Sequence, residues 1–355
     1  MRILEISAAA PFKKNSGGAE KFCFDLSKRL AEKGLQIEIA VPGILASLKG
    51  IRLRRIHTVK NKYLRKVFFD YFNPYSFLRI KKMIRDFEPD IIHFHNTYGL
   101  GSFNIRRISK SYPVLMTVHD LWLTNYSEDF SFINKIHTSI LLNSFEKVVL
   151  VSPSKFIADE LRKTGYENVK VIHNGVAVSS KKKTYNKTPK FLYVGSLSEN
   201  KGIRILVDLF SKNNIGLTVV GAGPLLSYVR TKKNIFVIGY DDNPERHYLD
   251  HDILIVPSIV KENQPTVVLE AMSYGLALIA SNIGGIPELI EHKKTGLLFN
   301  HRDENDLRNQ LDFLINCPEE IRKMGERARE RVRKEFNWDE TVASYLTLYQ
   351  DLVRK

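Results

Sequence analysis

Two cysteines, Cys23 and Cys317, in 355 residues are too few for a disulfide framework, so a reducing, cytoplasmic setting is the expected one. No apolar run approaches the roughly 20 residues a membrane-spanning helix needs. The opening MRILEISAAAPF has the look of a signal peptide, but Glu5 interrupts it and its apolar run is short; it reads as a first buried strand. The chain also lacks the G-x-G-x-x-G of dinucleotide binders and the P-loop lysine pattern, which argues against Walker-type phosphate transfer. No local arrangement suggests a Ser-His-Asp or Cys-His nucleophile. His93 and His95 sit two apart on one strand, and no third ligand stands at zinc spacing from them, so packing is the preferred reading and no metal is expected.

Acidic residues are scarce in one place. Residues 1–180 carry 28 Lys/Arg against 16 Asp/Glu, and residues 181–355 carry 26 against 23. The excess concentrates in residues 49–82, with 11 basic residues and Asp70 as the single acid. RKVFFDYFNPYSF lies within that stretch. Cations interleaved with aromatics suit anionic lipid headgroups or nucleic acid, or form a solvated basic face. Helix-turn-helix and zinc-finger patterns are missing, so nucleic acid is not the expected partner. That leaves two readings open: a solvated basic face over a partly buried aromatic cluster, or an anionic membrane surface met peripherally at the inner face of the cell membrane through residues 49–82, Lys62, Arg65 and Lys66 among them.

What the chain does have is alternation. RILEIS, QIEIAV, DIIHFH, VLMTVH and KVVLVS are strand-like runs separated by helical patterns, and KFLYVGSL, LTVVGAG, IFVIGY, DILIVPS, ALIASN and GLLF repeat the scheme. Near-continuous apolar strands between helices mean parallel βαβ units covered on both faces. The expected fold is α/β: two doubly wound, Rossmann-like parallel-sheet domains. Residues 1–180 form the first and 191–337 the second. The lysine-rich 181–190 has a linker's composition, and 338–355 is one amphipathic helix.

Ligands of such sheets bind beyond the carboxyl ends of the strands. There the chain places Gly17-Gly18 before a helix, His119-Asp120 after VLMTV, and Lys201 in VGSLSENKG. The stretch KENQPTVVLEAMSYG follows DILIVPS. It sets Glu262 in a loop and Glu270 one turn inside the next helix, on either side of a helix N-terminus. That terminus suits a diphosphate, and carboxylates suit vicinal diols. A ligand with phosphates in its middle and hydroxyl-bearing rings at both ends is a nucleotide-sugar.

Residues 256–299, from VPSIVKENQPTVVLEAMSYG to GGIPELI and TGLLF, resemble the signature of the GT-B-fold retaining glycosyltransferases of glycosyltransferase family 4. VIHNGV at 171–176, VGSLSENKG and the early Gly-Gly turn extend the resemblance over nearly the whole chain. It implies an N-terminal acceptor domain, a C-terminal donor domain with a deep cleft between them, and a last helix crossing back to the first domain. It further implies that Glu270 holds the donor ribose, while Glu262, Asn263 and Gln264 attend the transferred sugar. Thr266, Val267, Lys201 and the Gly17-Gly18 loop would meet the diphosphate. His119 would lie near sugar and acceptor, and Gly239 and Tyr240 near the base. The activity implied is retaining, metal-independent hexosyl transfer from a UDP- or GDP-linked sugar, with no other cofactor. The acceptor would be a hydroxyl of a lipid-linked or growing surface-polysaccharide glycan. One departure stands out: Ser196 occupies a position where the family usually has arginine, which keeps open a non-catalytic GT-B homologue serving as a binding partner. Arg204 and Lys261 are the nearby cations.

Overall fold

The computed structural model describes residues 1–8, 18–43, 50–56, 70–124 and 131–354, without the side chains of 131–135. Two compact units form: Met1–His173 with Thr341–Lys355, and Asn174–Glu340.

The first unit is built on a seven-stranded parallel sheet. In chain order its strands are β1 (Arg2–Ser7), β2 (Gln36–Pro42), β3 (Arg52–Ile56), β4 (Ile91–His95), β5 (Val114–Thr117), β6 (Val149–Ser152) and β7 (Val169–Val171). Their spatial order is β3-β2-β1-β4-β5-β6-β7, so the winding reverses between β1 and β4. Ile3, Leu4, Ile6, Ile91, Ile92, Phe94, Leu115 and Met116 are fully buried, as expected of strands covered by helices on both faces. Among these apolar residues β1 also buries Glu5, and β4 buries His93 and His95. The register sets Glu5 beside His93.

The second unit has six parallel strands: β8 (Phe191–Val194), β9 (Leu217–Val220), β10 (Ile235–Gly239), β11 (Ile253–Val256), β12 (Ala277–Ser281) and β13 (Leu297–Phe299). Their order is β10-β9-β8-β11-β12-β13, and the reversal falls between β8 and β11. Both sheets are therefore Rossmann-like, with a topological switch point beside the first strand of each.

The division of the chain differs from the expected one. It falls at His173/Asn174 rather than at 180, and residues 181–190 pack onto the second unit. Lys183 is buried and its ammonium donates to the carbonyls of Tyr248 (3.0 Å), Leu249 (2.8 Å) and His251 at the end of the helix Glu245–Asp250. Cations are favoured at such ends because the last carbonyls are unpaired. Tyr185 donates to the Gly275 carbonyl at 2.9 Å. Asp252 accepts from the Asn186 and Lys190 amides at 3.0 and 2.9 Å. A segment that is linker-like in composition is thus tied down by polar groups that find specific partners. The final helix, Trp338–Arg354, belongs to the first unit from Thr341 onward. Its Tyr345 and Tyr349 are completely buried there.

Candidate functional site

In the second unit the loops after β8 and β11 flank the switch point, where ligands of parallel sheets sit. The β8 loop carries Lys201 in a 3-10 turn, Glu199–Lys201. The β11 loop carries Glu262. Lys201 Nζ lies 2.5 Å from Glu262 Oε1, and Ser258 Oγ donates to that same oxygen at 2.8 Å. A lysine from one loop and a carboxylate and a hydroxyl from the other thus meet at a point.

Two glycines allow the approach. Gly202, at φ +67°, opens the helix that follows Lys201, and a Cβ there would overlap the Pro257 carbonyl oxygen. Gly284, at φ +62°, runs against Glu262, and a Cβ would stand 2.7 Å from its amide nitrogen. The Gly285 N–H then donates to the Glu262 carbonyl at 2.8 Å. Only glycine combines a left-handed backbone with such close contact, so GGIPELI reads as the clamp on the Glu262 loop.

The helix Thr266–Ser273 begins after Pro265 and has no side-chain cap. Its first N–H groups, those of Thr266 and Val267 included, have no intrahelical acceptor by construction. Glu270 follows one turn in and accepts from the Tyr248 hydroxyl at 2.9 Å. Tyr248 is buried and stacks on Tyr274 with ring centroids 5.4 Å apart. Burial, reinforced by the Glu270 charge, pushes the Tyr248 hydroxyl well up, so it stays a donor. Glu270 is thereby oriented by a rigid partner.

The other expected residues are placed less uniformly. Asn263 is half-buried in the same loop as Glu262. Gln264 is buried, and its Oε1 accepts from the Asn174 amide at 2.6 Å, a structural engagement the sequence reading did not include. Gly239 (φ +93°) and Tyr240 lie at the end of the edge strand β10, with Tyr240 exposed. Gly18 is the first residue of the helix Gly18–Glu32 after β1, while Gly17 lies outside the described residues. Arg204, one of the cations near Ser196 in sequence, has its guanidinium engaged elsewhere in the second unit. It is paired with Glu199 at 2.6 Å and stacked over the Tyr228 ring at 4.1 Å. Asp250 and Asp252 have the D-x-D spacing of a metal-binding pair, but Asp252 is occupied by the Asn186 and Lys190 contacts already described.

The first unit brings His119 to the carboxyl end of β5, one strand from its switch point. Behind it lies a polar cluster inside the sheet. His95 Nδ1 is 3.4 Å from His119 Nε2, and His95 Nε2 is 2.7 Å from Glu5 Oε2. His93 Nδ1 is 3.0 Å from Glu5 Oε2 and 2.7 Å from the Tyr349 hydroxyl. Tyr349 also donates to Glu5 Oε1 at 3.2 Å. His93 Nε2 meets Thr117 Oγ1 at 2.8 Å, and Thr117 meets the Tyr345 hydroxyl at 2.9 Å. Ligating atoms of Glu5, His93 and His95 lie within 4.8 Å of one another. The third member that sequence spacing could not supply is therefore Glu5, 88 residues before His93. Every one of these atoms already has a hydrogen-bond partner, which makes the cluster a closed polar network.

Burial alone would raise the Glu5 pKa, but His93 and His95 donating to the carboxylate outweigh it and bring it down to about 2. Burial, with His93 adding to it, lowers His95 to about 4. Burial, then His95 and His93, holds His119 well below 6.5. The His95 and His119 imidazoles are thus neutral at pH 7. The unfolded chain binds more protons than the folded one as pH falls below about 6.5, where histidines ordinarily titrate, and again below about 4.5 for Glu5. Stability of the first unit is lost in both windows. Denaturant melts at pH 7, 5.5 and 4 are expected to show a progressive fall for this unit; a flat profile would mean that His95 and His119 take up protons in the fold as readily as in the unfolded chain.

The chain matches the family described as Glycosyltransferase Family 4 over residues 16–180 and Glycosyl transferases group 1 over residues 177–331. It is 26% identical over 371 residues to the N-acetyl-alpha-D-glucosaminyl L-malate synthase of Bacillus anthracis, covering 95% of each chain. Its fold is that of sucrose-phosphate synthase from Thermosynechococcus elongatus, with a TM-score of 0.84, 21% identity and coverage of 99% of this chain and 98% of that one. The Anabaena protein HepE, solved in complex with UDP, matches with a TM-score of 0.78 at 17% identity, covering 99% of this chain and all of the other. The chain belongs to the family 4 glycosyltransferases of GT-B fold. It is a glycosyltransferase.

Proposed function

We propose that the protein transfers a hexosyl unit from a UDP- or GDP-linked sugar to an acceptor hydroxyl, with retention at the anomeric carbon and without a metal. The observation that carries this reading is the meeting of Lys201, Glu262 and Ser258 beside the uncapped start of the helix Thr266–Ser273. The Lys201 ammonium and the Thr266 and Val267 amides receive the diphosphate. As the bond from C1 to the phosphate oxygen breaks, they stabilise the charge gathering there. The acceptor oxygen bonds to C1, and its proton passes to the departing phosphate oxygen. Glu262 and Asn263 hold sugar hydroxyls, Glu270 the ribose diol, and Gly239 and Tyr240 flank the base. His119, in the first unit, offers a neutral imidazole to a substrate hydroxyl. A lysine and a helix terminus supply positive charge where other transferases use a divalent cation.

HepE was solved in complex with UDP, which favours a uridine donor as the first to try. Incubation with a panel of UDP- and GDP-hexoses, a simple alkyl-glycoside acceptor and no divalent metal is the test. The anomeric proton coupling of the product decides: an α-donor is expected to give an α-product. A β-product, or a requirement for added metal, would contradict the reading.

The acceptor is proposed to be lipid-linked and reached from the membrane surface. Within the described residues no helix is long and apolar enough to cross a membrane. The helix Pro74–Phe87 exposes Tyr75 (69%) and Leu78 (66%) beside Arg79, Lys81 and Lys82, with Phe72 exposed just before it. Apolar tips among cations suit an anionic interface. Lys62, Arg65 and Lys66 lie outside the described residues. Co-sedimentation with phosphatidylglycerol vesicles is expected to fall severalfold in Tyr75→Ser/Leu78→Ser; retention equal to the wild type would remove the membrane contact from the account.

A further inference from the structure

The buried cluster in the first unit has one arrangement of protons that satisfies all its members with every imidazole neutral. Tyr345 donates to Thr117 Oγ1, and Thr117 donates to His93 Nε2. His93 is then protonated at Nδ1, which points to Glu5 Oε2 and the Tyr349 oxygen. Tyr349 gives its own proton to Glu5 Oε1. His95 gives its Nε2 proton to Glu5 Oε2. The carboxylate thus accepts from two imidazoles and a phenol, which is what allows a charge to persist at a fully buried site. With its proton on Nε2, His95 presents a bare Nδ1 to His119, so His119 must donate through Nε2. Its Nδ1 lone pair is left as the acceptor for a ligand hydroxyl.

We infer that Glu5 and His95 are positioning residues that set the tautomer of His119, locking Nε2–H inward and turning the Nδ1 acceptor toward the substrate. This deepens the proposed function and rests on it for the claim that His119 meets a substrate hydroxyl. The physical basis is general. A histidine's working nitrogen is decided by the hydrogen bond its other nitrogen makes, and a carboxylate behind it fixes ring and tautomer together. Here the carboxylate acts through an intervening imidazole. Phe22 packs edge-on against His119 with centroids 5.5 Å apart, and His95 stacks on it at 5.7 Å, which holds the ring in plane. Because Tyr345 and Tyr349 come from the last helix, the setting also depends on that helix being docked in the first unit.

Long-range ¹H–¹⁵N correlation of the histidine side chains reads the tautomer directly and needs no activity. The His119 signals are assigned by their loss in His119→Gln. In the wild type His119 and His95 are expected as pure Nε2–H forms. In Glu5→Met the inward acceptor disappears, and His119 is expected as a tautomer mixture. The kcat of Glu5→Met should fall about tenfold or more while the Kd for UDP is unchanged, since Lys201, Thr266, Val267 and Glu270 lie in the second unit and Glu5 is buried in the first unit's sheet. Glu5→Gln keeps an oxygen facing His95 and is expected to restore the pure tautomer. A wild-type His119 protonated at Nδ1 overturns the inference, and so does a His119 tautomer unmoved in Glu5→Met. One equivalent of tightly bound metal in the purified protein would overturn it too, because Glu5 and His95 would then be ligands. Absence of sugar transfer by the wild type would refute the proposed function instead, and leaves the tautomer prediction standing on its own readout.

Discussion

Replacing Lys201 by alanine is expected to lower sugar transfer about 10²–10³-fold, the usual cost of removing one group aimed at the charge that develops in a transition state. The loss should appear mainly in kcat, because the diphosphate gains negative charge as the bond to C1 breaks. Glu262→Gln is expected to be comparably severe for a different reason. The amide keeps an oxygen for Ser258 but loses the charge that pairs with Lys201 across 2.5 Å, and it no longer accepts from sugar hydroxyls through both oxygens. Because the two side chains are partners, the double variant should cost far less than the product of the single losses. Steady-state rates of all three proteins, with melting curves to confirm folding, check this. Near-wild-type turnover in both single variants would remove Lys201 and Glu262 from the chemistry.

The second large effect concerns folding. Gly202→Ala puts a methyl group onto the Pro257 carbonyl oxygen at a backbone φ of +67°. The overlap is with backbone, which cannot rotate away, so the cost is expected to be at least about 3 kcal/mol. For a unit of this size that lowers the melting temperature by roughly 10 °C. Gly239→Ala is the control. Its φ is +93° but nothing lies within 4 Å of the added carbon, so only backbone strain of about 1 kcal/mol is expected. Equal effects from the two substitutions would mean that the loops after β8 and β11 are not held in contact as described.

The architecture was readable because its signal is repetitive. Most strand runs are apolar on both faces, though the edge strands β3 and β10 are not buried on both, and the runs alternate with helical patterns, which points to parallel sheets. Positions after strands could be found the same way, which is how Lys201, Glu262 and His119 were picked out. Contacts over long sequence separation were not readable. Glu5 looked like a mere interruption of an apolar strand, yet it anchors a network reaching His95 and Tyr349. Tyr248, 22 residues before Glu270, and Ser258, inside the β11 loop, carry no spacing that distinguishes them from ordinary core and loop residues. Lys183 was mistaken for linker because composition counts charges and cannot show that three helix-end carbonyls await this one. The bond between Gln264 and the Asn174 amide, 90 residues apart, likewise had no signal in the spacing.

The central claim is that the second unit holds the diphosphate between Lys201 and the start of the helix Thr266–Ser273, with the ribose on Glu270. A crystal structure with UDP tests it most directly. The account predicts phosphate oxygens within hydrogen-bond reach of Lys201 Nζ and the Thr266 and Val267 amides, and both ribose hydroxyls on Glu270. A diphosphate bound away from Lys201, or a ribose that leaves Glu270 untouched, would contradict it.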